Sequence, residues 1–219
     1  MADKAIIFDL DGTLTDSGEG IINCAEMTLR YFGLPVPNRE TMGVFVGPPL
    51  RDTFISFGVP KERIEESIEV FRSRYNTVGK FENYPYPGVP ELLKKLNEDG
   101  YILAVATSKP EATACEILRK FELTDYFQLV CGASLDGSAD AKELIIARVL
   151  NHLGDTDHLM MVGDTVFDVL GAAVHKIPTI GVSWGYGNTE DMIEAGAISI
   201  ANDPDELYKM ICKKVRAVP

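Results

Sequence analysis

The 219-residue sequence has no apolar run approaching the roughly 18–20 residues needed to cross a bilayer, so no membrane-spanning helix is expected. Its first residues, MADKAIIFDLDG, lack the long apolar core of a secretory leader, and the expectation is a cytoplasmic protein. Cysteine is sparse. Cys24, Cys115, Cys131 and Cys212 never form a C-x-x-C pair, which argues against a zinc site or a dithiol redox motif. They read as reduced residues packed in apolar surroundings. Positive charge is short as well: 21 Lys and Arg against 33 Asp and Glu leave a net charge of −12. Such a field repels nucleic acid and anionic membranes, so neither is expected as a partner. It also repels an anionic substrate, so a phosphate site in this chain is expected to be locally positive. His152, His158 and His175 are scattered and read as surface or packing residues.

What the sequence does have is a series of short apolar runs bounded by Gly, Pro, Asp or Ser. They lie at residues 5–8 (AIIF), 102–106 (ILAVA), 127–131 (FQLVC), 159–162 (LMMV), 179–182 (TIGV) and 198–201 (ISIA). Continuous apolar runs of this length suit parallel strands buried on both faces. Amphipathic helical patterns at 91–99, 112–121, 142–153 and 167–175 alternate with the later strands. The pattern predicts an α/β fold with a doubly wound, mainly parallel sheet. One interval breaks the rhythm. Between the first and second strands lie three helical patterns, at 21–32, 50–57 and 61–75, and few strand-like runs. Residues 16–85 are therefore read as an inserted all-helical domain, with 1–15 and 86–219 forming the α/β core. The stretches 18–20 and 84–88 are its expected linkers, side by side as a hinge for a lid.

In an open parallel sheet, ligands bind beyond the carboxyl ends of the strands. The first strand delivers Asp9, Asp11, Gly12 and Thr13 there, and the second Thr107, Ser108, Lys109 and Pro110. Asp136, Gly137, Ser138 and then Lys142 follow the third, and Gly163, Asp164 and Asp168 the fourth. Carboxylates that converge repel one another unless a cation or a shared proton intervenes. Asp9, Asp11, Asp164 and Asp168 thus suggest a hard-cation site of Mg²⁺ type, which takes oxygen ligands and substrate phosphate together. A carboxylate can attack phosphorus, a second can move the proton, and a lysine and a hydroxyl can hold the phosphoryl oxygens. Lys142 and Thr107 suit that last role, and the turn at Gly12 offers backbone N–H groups for the same oxygens. Each element also has a plainer reading. Asp164 could cap a helix starting near Thr165, Asp168 could pair with a surface cation, and Thr107 could simply end a strand. Lys142 is read as an exposed rim lysine whose loss would spare the fold.

The run Asp9, Leu10, Asp11, Gly12, Thr13 and Leu14 behind an apolar strand resembles the first motif of the haloacid dehalogenase superfamily. Thr107 resembles its second motif, Lys142 its third, and Gly163, Asp164 and Asp168 its fourth, in family order across essentially the whole chain. The resemblance implies a phosphomonoester hydrolase with Asp9 as nucleophile and Asp11 as general acid and base. It implies Mg²⁺ held by Asp9, the main-chain carbonyl of Asp11 and Asp164, with Asp168 supporting through water. The helical insertion matches the position of a family cap. Residues 47–50 (GPPL), 136–138 (DGS) and 185–187 (GYG) are most similar to a phosphoglycolate-phosphatase-like branch, which includes proteins described as 5′-nucleotidases or pyrophosphatases. The expected substrate is a small phosphorylated metabolite. In the cap, Gly47 and Arg51 either bind an anionic part of the substrate or form an ordinary helix-starting turn.

Several rivals follow from the same residues. A carbon-centred dehalogenase has no need of an acid at Asp11 or of a full metal set. A phosphonate-cleaving relative needs a Schiff-base lysine in the cap, and neither Lys61 nor Lys80 stands in a recognisable apolar motif. A sugar-phosphate mutase would share every core motif. A phospho-accepting signalling module would share the Asp, the metal, the hydroxyl and the lysine, but it would be shorter and lack the insertion.

Overall fold

A computed structural model describes residues 4–134, 141–154, 156 and 158–216. The Asp136, Gly137 and Ser138 motif lies outside the described residues. The chain divides into two compact units, Met1–Thr15 with Pro85–Pro219, and Asp16–Tyr84.

The first unit is built on a six-stranded sheet, entirely parallel. In chain order its strands are β1 (Lys4–Phe8), β4 (Ile102–Pro110), β5 (Leu129–Ala133), β6 (His158–Gly163), β7 (Thr179–Val182) and β8 (Ser199–Ala201), in the spatial order β5-β4-β1-β6-β7-β8. The short β2 (Thr15–Asp16) and β3 (Tyr84–Pro85) pair at the two points where the chain passes between units. Central position explains why β1 reads as one continuous apolar run. It pairs with β4 on one side, Phe8 opposite Val105, and with β6 on the other, Phe8 opposite Val162. Ile6 and Phe8 join a cluster with Val105, Val162, Leu93, Leu118 and Ile211. Ile7, on the opposite pleat, joins Ala106, Met161, Ile145, Val149 and Ala172. Helices α5 (Val89–Glu98), α6 (Glu111–Lys120) and α10 (Pro204–Arg216) supply the first layer, and α7 (Lys142–Leu153) and α8 (Val166–Val174) the second. Each large apolar side chain removed from water contributes about 1.5–3 kcal/mol, so the single strand β1 anchors both layers.

The strand expected at 127–131 is displaced to Leu129–Ala133. Phe127 follows a 3-10 turn at Thr124–Tyr126 and packs edge-on against Phe8, with ring centroids 6.4 Å apart. Its apolarity covers the core and does not extend the strand. β4 runs four residues beyond the expected 106, through an irregularity in its pairing with β5 between Thr107 and Pro110. α10 and α9 (Thr189–Glu194) fall outside the segments read as helical, as does α2 (Arg39–Met42) in the second unit.

The second unit holds α1 (Gly18–Tyr31), α2, α3 (Leu50–Ser56) and α4 (Ile64–Tyr75). An aromatic chain fills it: Phe45 meets Phe54 and Phe57 at 5.0 and 4.8 Å, and Phe71 stacks on Tyr75 at 5.3 Å. The linker expected at 18–20 is instead the buried first turn of α1. Gly20 is required there because a Cβ would overlap the carbonyl of Gly79. Close packing, rather than hinge flexibility, accounts for that glycine. Among the described residues no helix is long and apolar enough to cross a membrane. All four cysteines are free, with Cys24 and Cys131 buried.

Candidate active site

The site begins where β1 stops. Asp9 donates its backbone N–H to Val162 O at 2.9 Å, a last strand-like contact. The chain then closes a tight turn in which Leu14 and Thr15 donate to Leu10 O and Gly12 donates to Thr15 O at 2.8 Å. The turn needs Gly12 for two reasons. Its φ is +81°, and a Cβ would overlap the carboxylate of Asp164. This corrects one expectation: the Gly12 N–H is spent inside the turn and is not offered to a phosphate. Its contribution is room for Asp164.

Lys142, the first residue of α7, sits under Asp9. Its ammonium donates to Ala106 O at 3.1 Å and lies 2.9 Å from Asp9 Oδ1 and 2.8 Å from Asp168 Oδ1. Its side chain is only 5% exposed, so it is a buried tripod and not the exposed rim lysine expected from the sequence. Burial pulls its pKa down, but the Asp168 and Asp9 carboxylates outweigh that and hold it above the ordinary lysine value.

Asp164 and Asp168 follow β6. Asp164 accepts from the Thr13 hydroxyl at 3.2 Å and from the Tyr186 amide at 2.9 Å. Asp168 Oδ2 accepts from both the N–H and the hydroxyl of Thr165, at 3.0 and 2.9 Å, in a capping box that starts α8. The capping role weighed for Asp164 therefore belongs to Asp168, whose partner cation is the buried Lys142 and not a surface group. Oxygens of Asp9, Asp164 and Asp168 lie within 4.8 Å of one another, all buried.

Thr107, buried near the end of β4, accepts from the Lys109 N–H at 3.2 Å, which leaves the hydroxyl proton for another acceptor. Ser108 is half-buried beside it. Lys109 was not singled out from the sequence, although it stood in the segment delivered by that strand. Its ammonium lies 2.8 Å from Asp11 Oδ2, both side chains almost fully enclosed. The remaining oxygen, Asp11 Oδ1, is buried with no hydrogen-bond partner among the described residues. Trp184 donates its indole N–H to Thr13 O at 3.1 Å and packs against the core, and Tyr186 contributes its amide to Asp164.

Gly47 and Arg51 lie in the second unit. Gly47 has a φ of +100°, and Arg51 meets Glu65 in a two-pronged pair with both contacts at 2.9 Å.

The charges decide what this cluster can bind. Asp9, Asp11, Asp164 and Asp168 meet two ammoniums, Lys109 and Lys142. With every group ionised the carboxylates exceed the ammoniums by two, so these side chains do not make the locally positive site expected for phosphate. Burial is the largest force pushing the Asp9 carboxyl up to about 6, opposed by Lys142 and reinforced by Asp168 and Asp11. Burial, then repulsion from Asp168 and Asp9, raises Asp164 well above the carboxylate range. One divalent cation would cancel the excess and remove both penalties.

Residues 6–182 match the family model of haloacid dehalogenase-like hydrolases. The chain is 42% identical over 211 residues to a tyrosine-protein kinase, PtkA, of Mycobacterium tuberculosis, covering 95% of this chain and 72% of that protein. It is 38% identical to a 5′-nucleotidase of Pseudomonas aeruginosa, covering 85% of this chain and 86% of the other. It is 31% identical to a phosphoglycolate phosphatase of Aquifex aeolicus, covering 95% and 96%. A crystal structure of a predicted phosphatase from Clostridium acetobutylicum superposes with a TM-score of 0.92 at 39% identity, covering 97% of this chain and 100% of that one.

Proposed function

Because the chain belongs to the haloacid dehalogenase-like hydrolase family, as a hydrolase of phosphate esters, we propose that it is a Mg²⁺-dependent phosphomonoesterase working through a phospho-aspartate on Asp9. The observation that carries this reading is the grouping of Asp9, Asp164 and Asp168 within 4.8 Å around a buried, charged lysine.

The donor set suits Mg²⁺: all the oxygens are hard, and the cluster has an uncompensated charge of the right sign. Asp9 and Asp164 would hold the ion, with the main-chain carbonyl of Asp11 as the family resemblance implies. Bound there, Mg²⁺ shields the anionic nucleophile from the anionic phosphate. Asp168 has one oxygen committed to Thr165 and the other to Lys142, so it serves by fixing the lysine.

In the first step an oxygen of Asp9 attacks phosphorus while the bond from phosphorus to the leaving oxygen breaks. Asp11, as the carboxylic acid, gives that oxygen its proton. Asp11, now a carboxylate, then takes a proton from water as the water oxygen attacks the phospho-aspartate. Inorganic phosphate leaves and Asp9 is regenerated. The Thr107 hydroxyl steadies an equatorial oxygen as charge spreads over it, while Lys142, whose three N–H groups are engaged by Ala106 O, Asp9 and Asp168, contributes through its charge. The helical unit would act as the cap that selects the leaving group.

The proposed substrate is a small phosphorylated metabolite of phosphoglycolate type, with nucleoside monophosphates supported by the 5′-nucleotidase relative. Phosphate release measured across phosphoglycolate, nucleoside monophosphates, sugar phosphates and pyrophosphate, with Mg²⁺ and with EDTA, tests the reading. Metal-independent turnover, or no release from any of them, would overturn it. A second reading is favoured by the 42% identity to PtkA: passage of the phosphoryl group from Asp9 to a tyrosine hydroxyl instead of water. Phosphotyrosine formed on a peptide from a nucleoside triphosphate, without matching phosphate release, would decide for it.

A further inference from the structure

We propose that Lys109 is a positioning residue for proton transfer: it holds Asp11 by one oxygen and leaves the other to face the leaving group. The inference rests on the phosphatase reading and assigns a task to a lysine outside the core motifs.

Three observations carry it. The backbone of Asp11 is fixed by the turn around it, through the Gly12 to Thr15 hydrogen bond and the bridge between Asp11 and Thr15. What remains free is rotation of the carboxyl about its side-chain bonds. Lys109 closes that freedom, its ammonium 2.8 Å from Asp11 Oδ2 in an enclosed pair. The other oxygen, Oδ1, is buried with no hydrogen-bond partner among the described residues, so it has unused capacity for a substrate atom.

Lys109 is itself held. The pairing of β4 with β5 shifts between Thr107 and Pro110, and the Lys109 N–H is anchored on the Thr107 hydroxyl oxygen at 3.2 Å. On β5, a Cβ at Gly132 would overlap the Lys109 carbonyl and the backbone of Glu111, so the glycine lets this segment fold in close. One short segment therefore aims two groups: the Thr107 hydroxyl, and the ammonium that sets Asp11. Misplacing a reacting group by about an ångström can cost on the order of 10²-fold in rate. The cost should fall only on substrates whose leaving oxygen needs the proton.

The test compares an alkyl phosphate, a poor leaving group, with p-nitrophenyl phosphate, a good one, in Lys109→Gln, Lys109→Arg and Asp11→Asn, singly and combined. Thermal unfolding is followed in parallel. Lys109→Gln should lower kcat on the alkyl ester by about 10–10²-fold and change p-nitrophenyl phosphate turnover by less than about threefold. Lys109→Arg should recover much of the loss. In the Asp11→Asn background, Lys109→Gln should add almost nothing on the alkyl ester. Equal losses on both esters, or a full additional loss when Asp11 is already gone, would overturn the proposal. If Lys109→Gln fails to fold, Lys109→Met, which keeps the apolar stem and removes the ammonium, decides by the same ratio of esters. Asp11→Asn alone reports on the underlying reading: an inactive wild type, or no selectivity in Asp11→Asn, overturns the phosphatase assignment and this inference together. Selectivity in Asp11→Asn without any in the Lys109 variants overturns this inference alone.

Discussion

Replacing Lys142 by Met keeps the stem of the side chain and deletes the ammonium that lies 2.9 Å from Asp9 and 2.8 Å from Asp168. Sequence reasoning alone would place the cost in activity and spare the fold. Burial changes that expectation. At an effective dielectric of about 20, each contact is worth roughly 6 kcal/mol before the cost of burying the charges. Removing one partner of a buried pair typically costs about 3–5 kcal/mol, and that is the expected loss of stability at pH 8 in EDTA. The loss should depend on pH in a definite direction. Lys142 is the main force holding the Asp9 pKa down against burial, leaving it at about 6. Without the lysine the folded state keeps the Asp9 proton to higher pH. Unfolded Asp9 is ionised throughout this range, so the folded variant binds one proton more. Its stability then falls by about 1.4 kcal/mol per pH unit above pH 6, where the wild type no longer changes on this account. Below about pH 5 Asp9 is protonated in both folded proteins, and the deficit shrinks to the share owed to Asp168. Urea unfolding at pH 5 and pH 8, with the slope m checked for constancy, measures the two deficits. Equal deficits at both pH values would refute the reasoning.

Removing metal with EDTA should abolish phosphate release and Mg²⁺ should restore it, with Ca²⁺ a poor substitute because its geometry is looser; activity retained in EDTA would count against the site. Mg²⁺ should also raise the unfolding midpoint more at pH 8 than at pH 5, since Asp9 and Asp164 are both pushed toward protonation when metal is absent. Gly12→Ala should cost more than about 1 kcal/mol of stability, because φ is +81° and the new methyl meets Asp164; an unchanged midpoint in urea would show that the turn can relax. Arg51→Ala should raise KM for phosphoglycolate more than for p-nitrophenyl phosphate, and Glu65→Gln, which removes the carboxylate charge facing Arg51, should lower it. Unfolding curves of both variants should move by less than about 1 kcal/mol, as for an exposed ion pair; equal kinetic changes on the two substrates would remove Arg51 from substrate recognition.

Several features were legible in the sequence because they depend on local pattern. The runs AIIF, ILAVA and TIGV announced buried parallel strands, since only a strand covered on both faces is apolar at every position. Helical periodicity located α7 to the residue, and the order of the strand ends put Asp9, Thr107, Lys142 and Asp164 at one edge of a sheet. Chemistry by residue type, carboxylates beside a lysine, was readable for the same reason. Tertiary structure alone decided what each polar group does with its partners. It turned Lys142 from a rim residue into a buried tripod and divided the oxygens of Asp168 between a helix cap and that lysine. It spent the Gly12 N–H within its own turn and set Lys109 on Asp11. These outcomes join residues far apart in the chain. Spacing along a sequence indicates which face a side chain shares, but burial and charge pairing depend on what the other segments bring within three ångströms.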